Sequence, residues 1–159
     1  MSPLRIGIIG VGNISGIYIK NLTAFRSTTI AAVADIDLAR AQTVAAGIDG
    51  AEALTPDELL ASSNVDLVLN LTIPNAHGPV AIAAAKAGKH VYNEKPLSIR
   101  LEDAEMLLAE AQKSGTLVGG APDTFLGGGI QTCRALIEQG AIGEPIAANA
   151  FMLCRGHET

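Results

Sequence analysis

Two segments of the chain carry groups that can do chemistry. One is Asn93-Glu94-Lys95-Pro96, which follows the apolar run Lys89 to Tyr92 and offers an ammonium. The other is the glycine turn Gly10-Val11-Gly12-Asn13-Ile14-Ser15, which follows the apolar run Leu4 to Ile9 and offers a cradle for an anion. Gly10 permits a tight turn, and Gly12 has no Cβ to hold a pyrophosphate off the backbone. The helix expected next turns its free N–H groups and positive dipole end toward that anion. About two dozen residues further on stands Asp35, at the end of the run Thr29 to Ala34, where a carboxylate can accept both hydroxyls of an adenosine ribose and repel a 2′-phosphate. Strand, glycine turn, helix and acid in this order describe a dinucleotide site, with NAD favoured over NADP. Its residues are Gly10, Gly12, Asn13, Ile14, Asp35 and Ile36. Asp35 as a helix N-cap is the competing reading, and Asp37 suits that role better. Arg40, the nearest cation, is expected on an exposed helical face. Ser15 takes the place of the pattern's usual third glycine, which predicts slightly looser packing of strand against helix.

The elements that must position these groups alternate regularly. Strand-like runs at Thr29 to Ala34, Asp66 to Leu71, Lys89 to Tyr92 and Thr116 to Gly120 are separated by helical patterns, the grammar of a doubly wound parallel α/β sheet in three layers. In the first helix Ile14, Ile17, Tyr18, Leu22 and Phe25 share one side. Thr55-Pro56-Asp57-Glu58 has a capping Thr, a Pro at the first helical position and a Glu at the third. Asn75 to Ala87 reads as a helix stopped by Gly88, and Leu101, Ala104, Leu108 and Ala111 line a helix stopped by Gly115. A last helix runs from about Ile130 to Glu138. The segment Ile146 to Leu153 reads as a further strand, taken as the start of a second domain, so the expected division is 1–145 for the nucleotide-binding domain and 146–159 for that start.

Composition narrows the class. With 48% apolar and 17% charged residues the 159-residue chain is globular, and a net charge of −5 with scattered basic residues gives no footprint for nucleic acid or an acidic membrane surface. No apolar run is long enough to span a bilayer and Leu4 already opens a strand, so a cytoplasmic location without a signal peptide is expected. Cys133 and Cys154 lack metal-ligand spacing and are expected as buried, unpaired small hydrophobes; no metal site is expected. A P-loop is disfavoured by the absence of Gly-Lys-Ser/Thr after the turn, and a methyltransferase gives no reason for Glu94-Lys95-Pro96.

In an open parallel sheet ligands bind at the carboxyl edge. There Thr72-Ile73-Pro74-Asn75-Ala76-His77 and Asn93-Glu94-Lys95-Pro96 both follow strands. Taken alone, Lys95 reads as a surface lysine, but its place between a buried strand and a proline-stiffened turn at that edge argues for a site. The segment Gly88-Lys89-His90-Val91-Tyr92-Asn93-Glu94-Lys95-Pro96-Leu97-Ser98 closely resembles the signature of the Gfo/Idh/MocA oxidoreductases. The glycine turn, Thr72 to His77 and Gly120-Ala121-Pro122-Asp123-Thr124-Phe125-Leu126-Gly127 fit the same family in the same order.

The resemblance implies a Rossmann fold and hydride transfer between nicotinamide and a secondary alcohol of a sugar, polyol or related small molecule. It implies Lys95 as the catalytic lysine beside cofactor and substrate, Glu94 as a contact to the nicotinamide ribose, and Pro96 as a brace. Thr72, Ile73 and His77 are implied as the loop against the cofactor, with His77 equally readable as a helix-start histidine bonding nearby backbone. Ile73 departs from the family's usual Pro directly after this Thr. Asp123 and Thr124 are candidates to face the substrate or to cap the next helix. The family further implies a C-terminal α/β domain that lines the substrate site, supplies an Asp and a His, and forms a homo-oligomer; without it this chain is expected to hold NAD but not to turn over. An NAD-using glycosidase and a non-catalytic dinucleotide sensor are the rival readings, the intact Lys95 counting against the second. His90 is expected to be structural.

Overall fold

Six strands, β1 (Leu4–Ile9), β2 (Thr28–Ala34), β3 (Glu52–Leu54), β4 (Leu67–Asn70), β5 (His90–Asn93) and β6 (Val118–Gly120), form one sheet in the order β3-β2-β1-β4-β5-β6. The computed structural model describes residues 2–121, 124–151 and 153. Every neighbouring pair is parallel. The carboxyl ends of β1, β2, β4 and β5 therefore emerge along a single edge. Strand order reverses between β1 and β4, which opens the crevice in which such sheets bind ligands. The chain divides into two compact units, residues 1–122 and 123–159.

In the first unit the helices α1 (Ser15–Ala24), α2 (Leu38–Ala45), α3 (Pro56–Ala61), α4 (Pro74–Lys86) and α5 (Leu101–Ser114) cover both faces. Ile6, Ile8 and Leu69 pack with Tyr18, Ile19 and Leu22 of α1 and with Val44 and Ala45 of α2. Ile9, Val68 and Val91 pack on the other face with Leu59 of α3, Ala84 of α4, and Leu107 and Ala111 of α5. Gly7 permits this second contact, since a Cβ there would lie 2.8 Å from the Leu59 side chain. The Thr55 capping box at α3 forms as its sequence predicts, and Gly88 and Gly115 take positive φ at the ends of α4 and α5.

Two helix faces differ from the periodicity reading. In α1, Ile14, Ile17 and Phe25 are exposed, and the inward face is Ser15, Tyr18, Ile19 and Leu22. Burial of the small Ser15 against the glycine turn fixes that rotation. In α5, Leu101 and Leu108 are exposed while Leu107 and Ala111 are buried. There the close seat of Asp103 on Gly78 sets the helix: a Cβ on Gly78 would come within 2.8 Å of the Asp103 Cβ. The short strand β3 is absent from the apolar runs because it has only three residues, none of them buried.

Asp66 leads into β4 and is held by Arg5 of β1, whose main-chain N–H and Nε donate to Oδ2 at 3.0 Å each and whose Nη2 reaches Oδ1 at 2.5 Å. These bonds lower the Asp66 carboxyl to about 2. A depressed carboxyl stabilises the fold above its unfolded value near 4 and loses that contribution as pH falls toward 2. Solvent screening limits it to about 1 kcal/mol. Asp66→Asn is therefore expected to lower the melting temperature at pH 7 but not at pH 2, as calorimetry at the two pH values would show.

In the second unit a 3-10 turn, Thr124–Leu126, precedes α6 (Gly128–Glu138). Residues 146–151 form no helix or strand, contrary to the run's apolar pattern, because no described residue offers them a ladder partner. Cys133 is exposed on α6 rather than buried: no described residue of that helix is buried. Asp123, Cys154 and His157 lie outside the described residues. No helix among those described is long and apolar enough to cross a membrane.

Candidate active site

The glycine turn leaves β1 with Gly10 at φ +92°, its N–H bonded to the Ala34 carbonyl at 2.8 Å. A Cβ on Gly10 would lie 2.8 Å from the main chain of Leu71 and Thr72, whereas one on Gly12 or Gly16 would meet nothing within 4 Å. The two glycines thus serve different ends. Gly10 lets the turn pass the β4 loop, and Gly12 leaves open space over the start of α1. No side chain caps that helix. The Val11 N–H is taken by Asp35, while those of Gly12, Asn13 and Ile14 donate to no other described residue. Ser15, the departure from the glycine pattern, is buried with its hydroxyl donating to the Gly12 carbonyl at 2.8 Å. It closes the turn from inside. Free amides, an uncapped helix end and open space above them fit a pyrophosphate.

Gly10→Ala is expected to cost about 2–4 kcal/mol of stability through strain and main-chain overlap. Gly12→Ala should leave stability within about 0.5 kcal/mol yet weaken dinucleotide binding about tenfold or more. Thermal melts and a titration of both variants check the contrast.

Asp35 is 6% exposed at the end of β2. Its Oδ2 accepts the Val11 N–H and its Oδ1 the Asp37 N–H, both at 3.0 Å. The carboxylate thus ties the glycine turn to the β2 end, and each oxygen retains acceptor capacity for a ribose hydroxyl. Asp37, not Asp35, caps α2, accepting the Arg40 N–H. Arg40 is half exposed but leans back over the site, its guanidinium 3.6 Å from both Asp35 and Asp37. Ile36 is 97% exposed beside them.

Across the crevice, β4 and β5 end in Asn70 and Asn93, register partners that are both fully buried. The Asn70 Oδ1 accepts the Thr72 N–H and, at 2.7 Å, the Thr72 hydroxyl. Both asparagine amides donate to the His77 carbonyl. The His77 ring is buried, with Nε2 2.9 Å from the Thr72 carbonyl and Nδ1 2.6 Å from the Pro96 carbonyl. A neutral imidazole has one N–H for these two acceptors and an imidazolium has two. His77 therefore bonds neighbouring backbone, the second of its two sequence readings, and its ring is not on the surface.

Glu94 accepts the Tyr18 hydroxyl at 2.8 Å and the Lys95 N–H at 2.7 Å. Lys95 is exposed, its ammonium paired with no described residue, and its bond to Pro96 is cis. Ile73 is exposed in the loop that follows β4. Sequence alone assigns no site role to Tyr18, Asn70 or Asn93; the asparagines' signal is their matched place at the last residue of two adjacent strands. Thr124 is exposed in the second unit, its carbonyl accepting the Gly127 N–H. Among the described residues no group of three or more His, Cys, Asp or Glu could hold a metal. His90 accepts the Leu117 N–H at Nδ1, a structural contact between the β5 and β6 strands' starts.

Residues 4–120 match the family model described as "Oxidoreductase family, NAD-binding Rossmann fold" (GFO_IDH_MocA). The chain belongs to the Gfo/Idh/MocA oxidoreductase family. Among its relatives is the myo-inositol 2-dehydrogenase of Thermotoga maritima, 33% identical over 144 residues, which cover 89% of this chain and 43% of that protein. The crystal structure of a dehydrogenase from Bordetella pertussis in complex with NADH and UDP-GlcNAcA superposes with a TM-score of 0.81 at 25% identity, over 89% of this chain and 41% of that one. A 3-ketoreductase from Actinomadura kijaniata in complex with NADP gives 0.83 at 29% identity, over 89% and 46%. The Gfo/Idh/MocA chain thus spans less than half the length of these relatives.

Proposed function

We propose that this chain is the cofactor-binding part of an NAD-dependent oxidoreductase acting on a secondary alcohol of a sugar, polyol or related compound. The observation that carries the proposal is the meeting, along one sheet edge, of three main-chain amides at Gly12 to Ile14 that donate to no other described residue, the buried carboxylate of Asp35 and the exposed Lys95, whose ammonium pairs with no described residue. The amides hold the pyrophosphate and Asp35 accepts the adenosine ribose hydroxyls. Nicotinamide, when bound, supplies the hydride acceptor. Glu94, fixed by Tyr18, faces the second ribose, and Thr72 and Ile73 border the same crevice. Lys95 orients the substrate hydroxyl and, in its neutral amine form, takes up the hydroxyl proton to become the ammonium. Relatives that act on inositol or bind a sugar nucleotide support the substrate class. Their greater length supports a second domain from residue 146 onward, which on this reading completes the substrate wall.

Calorimetric titration of this chain with NAD and NADP tests the binding half, and tighter binding of NADP would overturn the cofactor assignment. A screen of sugars and polyols for NADH absorbance with the full natural protein tests the reaction. Sugar release without net NADH would favour the glycosidase chemistry instead.

A further inference from the structure

We infer that His77 is a positioning residue: it staples the loop after β4 to the turn after β5, so that the site's cofactor-side loop and Lys95 are held as one body. The inference rests on the functional reading above for what Lys95 does, but not for the staple itself. A single buried residue reaches four partners on two segments. Its ring nitrogens face the Thr72 carbonyl and the Pro96 carbonyl, and its own carbonyl takes the amides of Asn70 and Asn93. The two asparagines extend the brace, since Asn70 also holds Thr72 and the Asn93 amide also donates to the Leu97 carbonyl at 2.8 Å. Lys95 thus sits between a residue bonded to Tyr18 of α1 and one bonded to the ring of α4.

Main-chain polar groups of loops ordinarily find water or one another. Here two loop carbonyls from segments that are far apart in sequence are bridged by one dry side chain. Removing the ring takes away the N–H that ties it to these part-buried carbonyls and the contact that spans the two segments. The loops then have reason to part, and the main chain that carries Lys95 loses its tie to the Thr72 loop. Displacements of that order are what positioning residues prevent in catalysis.

Two substitutions of similar size separate the donors from the volume they fill. His77→Met keeps bulk and offers no N–H; His77→Gln offers two N–H donors on one amide. Amide hydrogen exchange of the cofactor-free chain is the readout. In His77→Met the Thr72 and Lys95 amides are expected to exchange about tenfold or more faster than in the parent, with the amides of β1 and β2 changed less than about threefold; in His77→Gln all four sets stay within about threefold. Acceleration spread evenly over β1, β2 and the two loops would show a general loss of stability and overturn the proposal. So would unchanged loops in the Met variant, or loops as fast with Gln as with Met. Should the Met chain fail to fold, the Gln chain decides alone, slow loops supporting the staple and fast loops overturning it. A parallel NAD titration separates the two readings. Failure of the parent chain to bind NAD would sink the cofactor reading and leave the exchange result standing.

Discussion

In the full natural protein, Lys95→Ala is expected to lower kcat about 10²- to 10⁴-fold, the range that one positioned acid-base group contributes. The Kd for NAD should move less than about threefold, and stability by less than about 0.5 kcal/mol. The separation follows from how Lys95 is held. Its main chain is fixed through the bond to Glu94 and the neighbouring Pro96 carbonyl, neither of which involves its side chain. The ammonium makes no ion pair among the described residues, so truncating it frees no partner and opens no cavity. Lys95→Arg sharpens the test. A guanidinium keeps the charge but does not give up its proton, so binding survives and turnover does not. Steady-state NADH formation with calorimetric NAD binding measures both quantities, and unchanged kcat in either variant would refute the catalytic assignment.

The edge that bears this lysine was legible because it is written in local chemistry. Gly10, Asp35 and the turn at Lys95 each follow a buried strand, and parallel strands bring their ends to one side whatever happens between them. The capping box at Thr55 and the glycine stops were legible for the same reason. What periodicity missed depends on contacts between distant segments. The rotation of α1 is decided by burial of Ser15 under the glycine turn, and that of α5 by the seat of Asp103 on Gly78. The brace around His77 was hidden for a related reason. Nothing local links Asn70, Asn93 and His77 until the β4 and β5 register sets the two asparagines side by side. Sequence places Arg40 on an exposed helical face, and half its surface is exposed, but its guanidinium still lies 3.6 Å from Asp35.

That contact shapes the second large effect. Asp35→Ser is expected to raise the Kd for NAD about 10- to 100-fold, the loss of one or two hydrogen bonds to a charged acceptor, and to bring NADP binding level with NAD or tighter. It also strips the acceptors from the Val11 and Asp37 amides, which should cost about 1–3 kcal/mol in stability. In the parent, the Arg40 guanidinium lies 3.6 Å from Asp35, and on the proposed reading that carboxylate repels a 2′-phosphate. Without Asp35 the same guanidinium, still within 3.6 Å of Asp37, can turn its fork on the phosphate. The gain in NADP affinity must then vanish when Arg40→Ala is added to Asp35→Ser. Arg40→Ala alone should change NAD binding less than about threefold. A double-mutant cycle on the two Kd values measures the coupling. If NADP gains as much in the double variant as in the single one, relief of repulsion alone sets the preference, and Arg40 takes no part in choosing the cofactor.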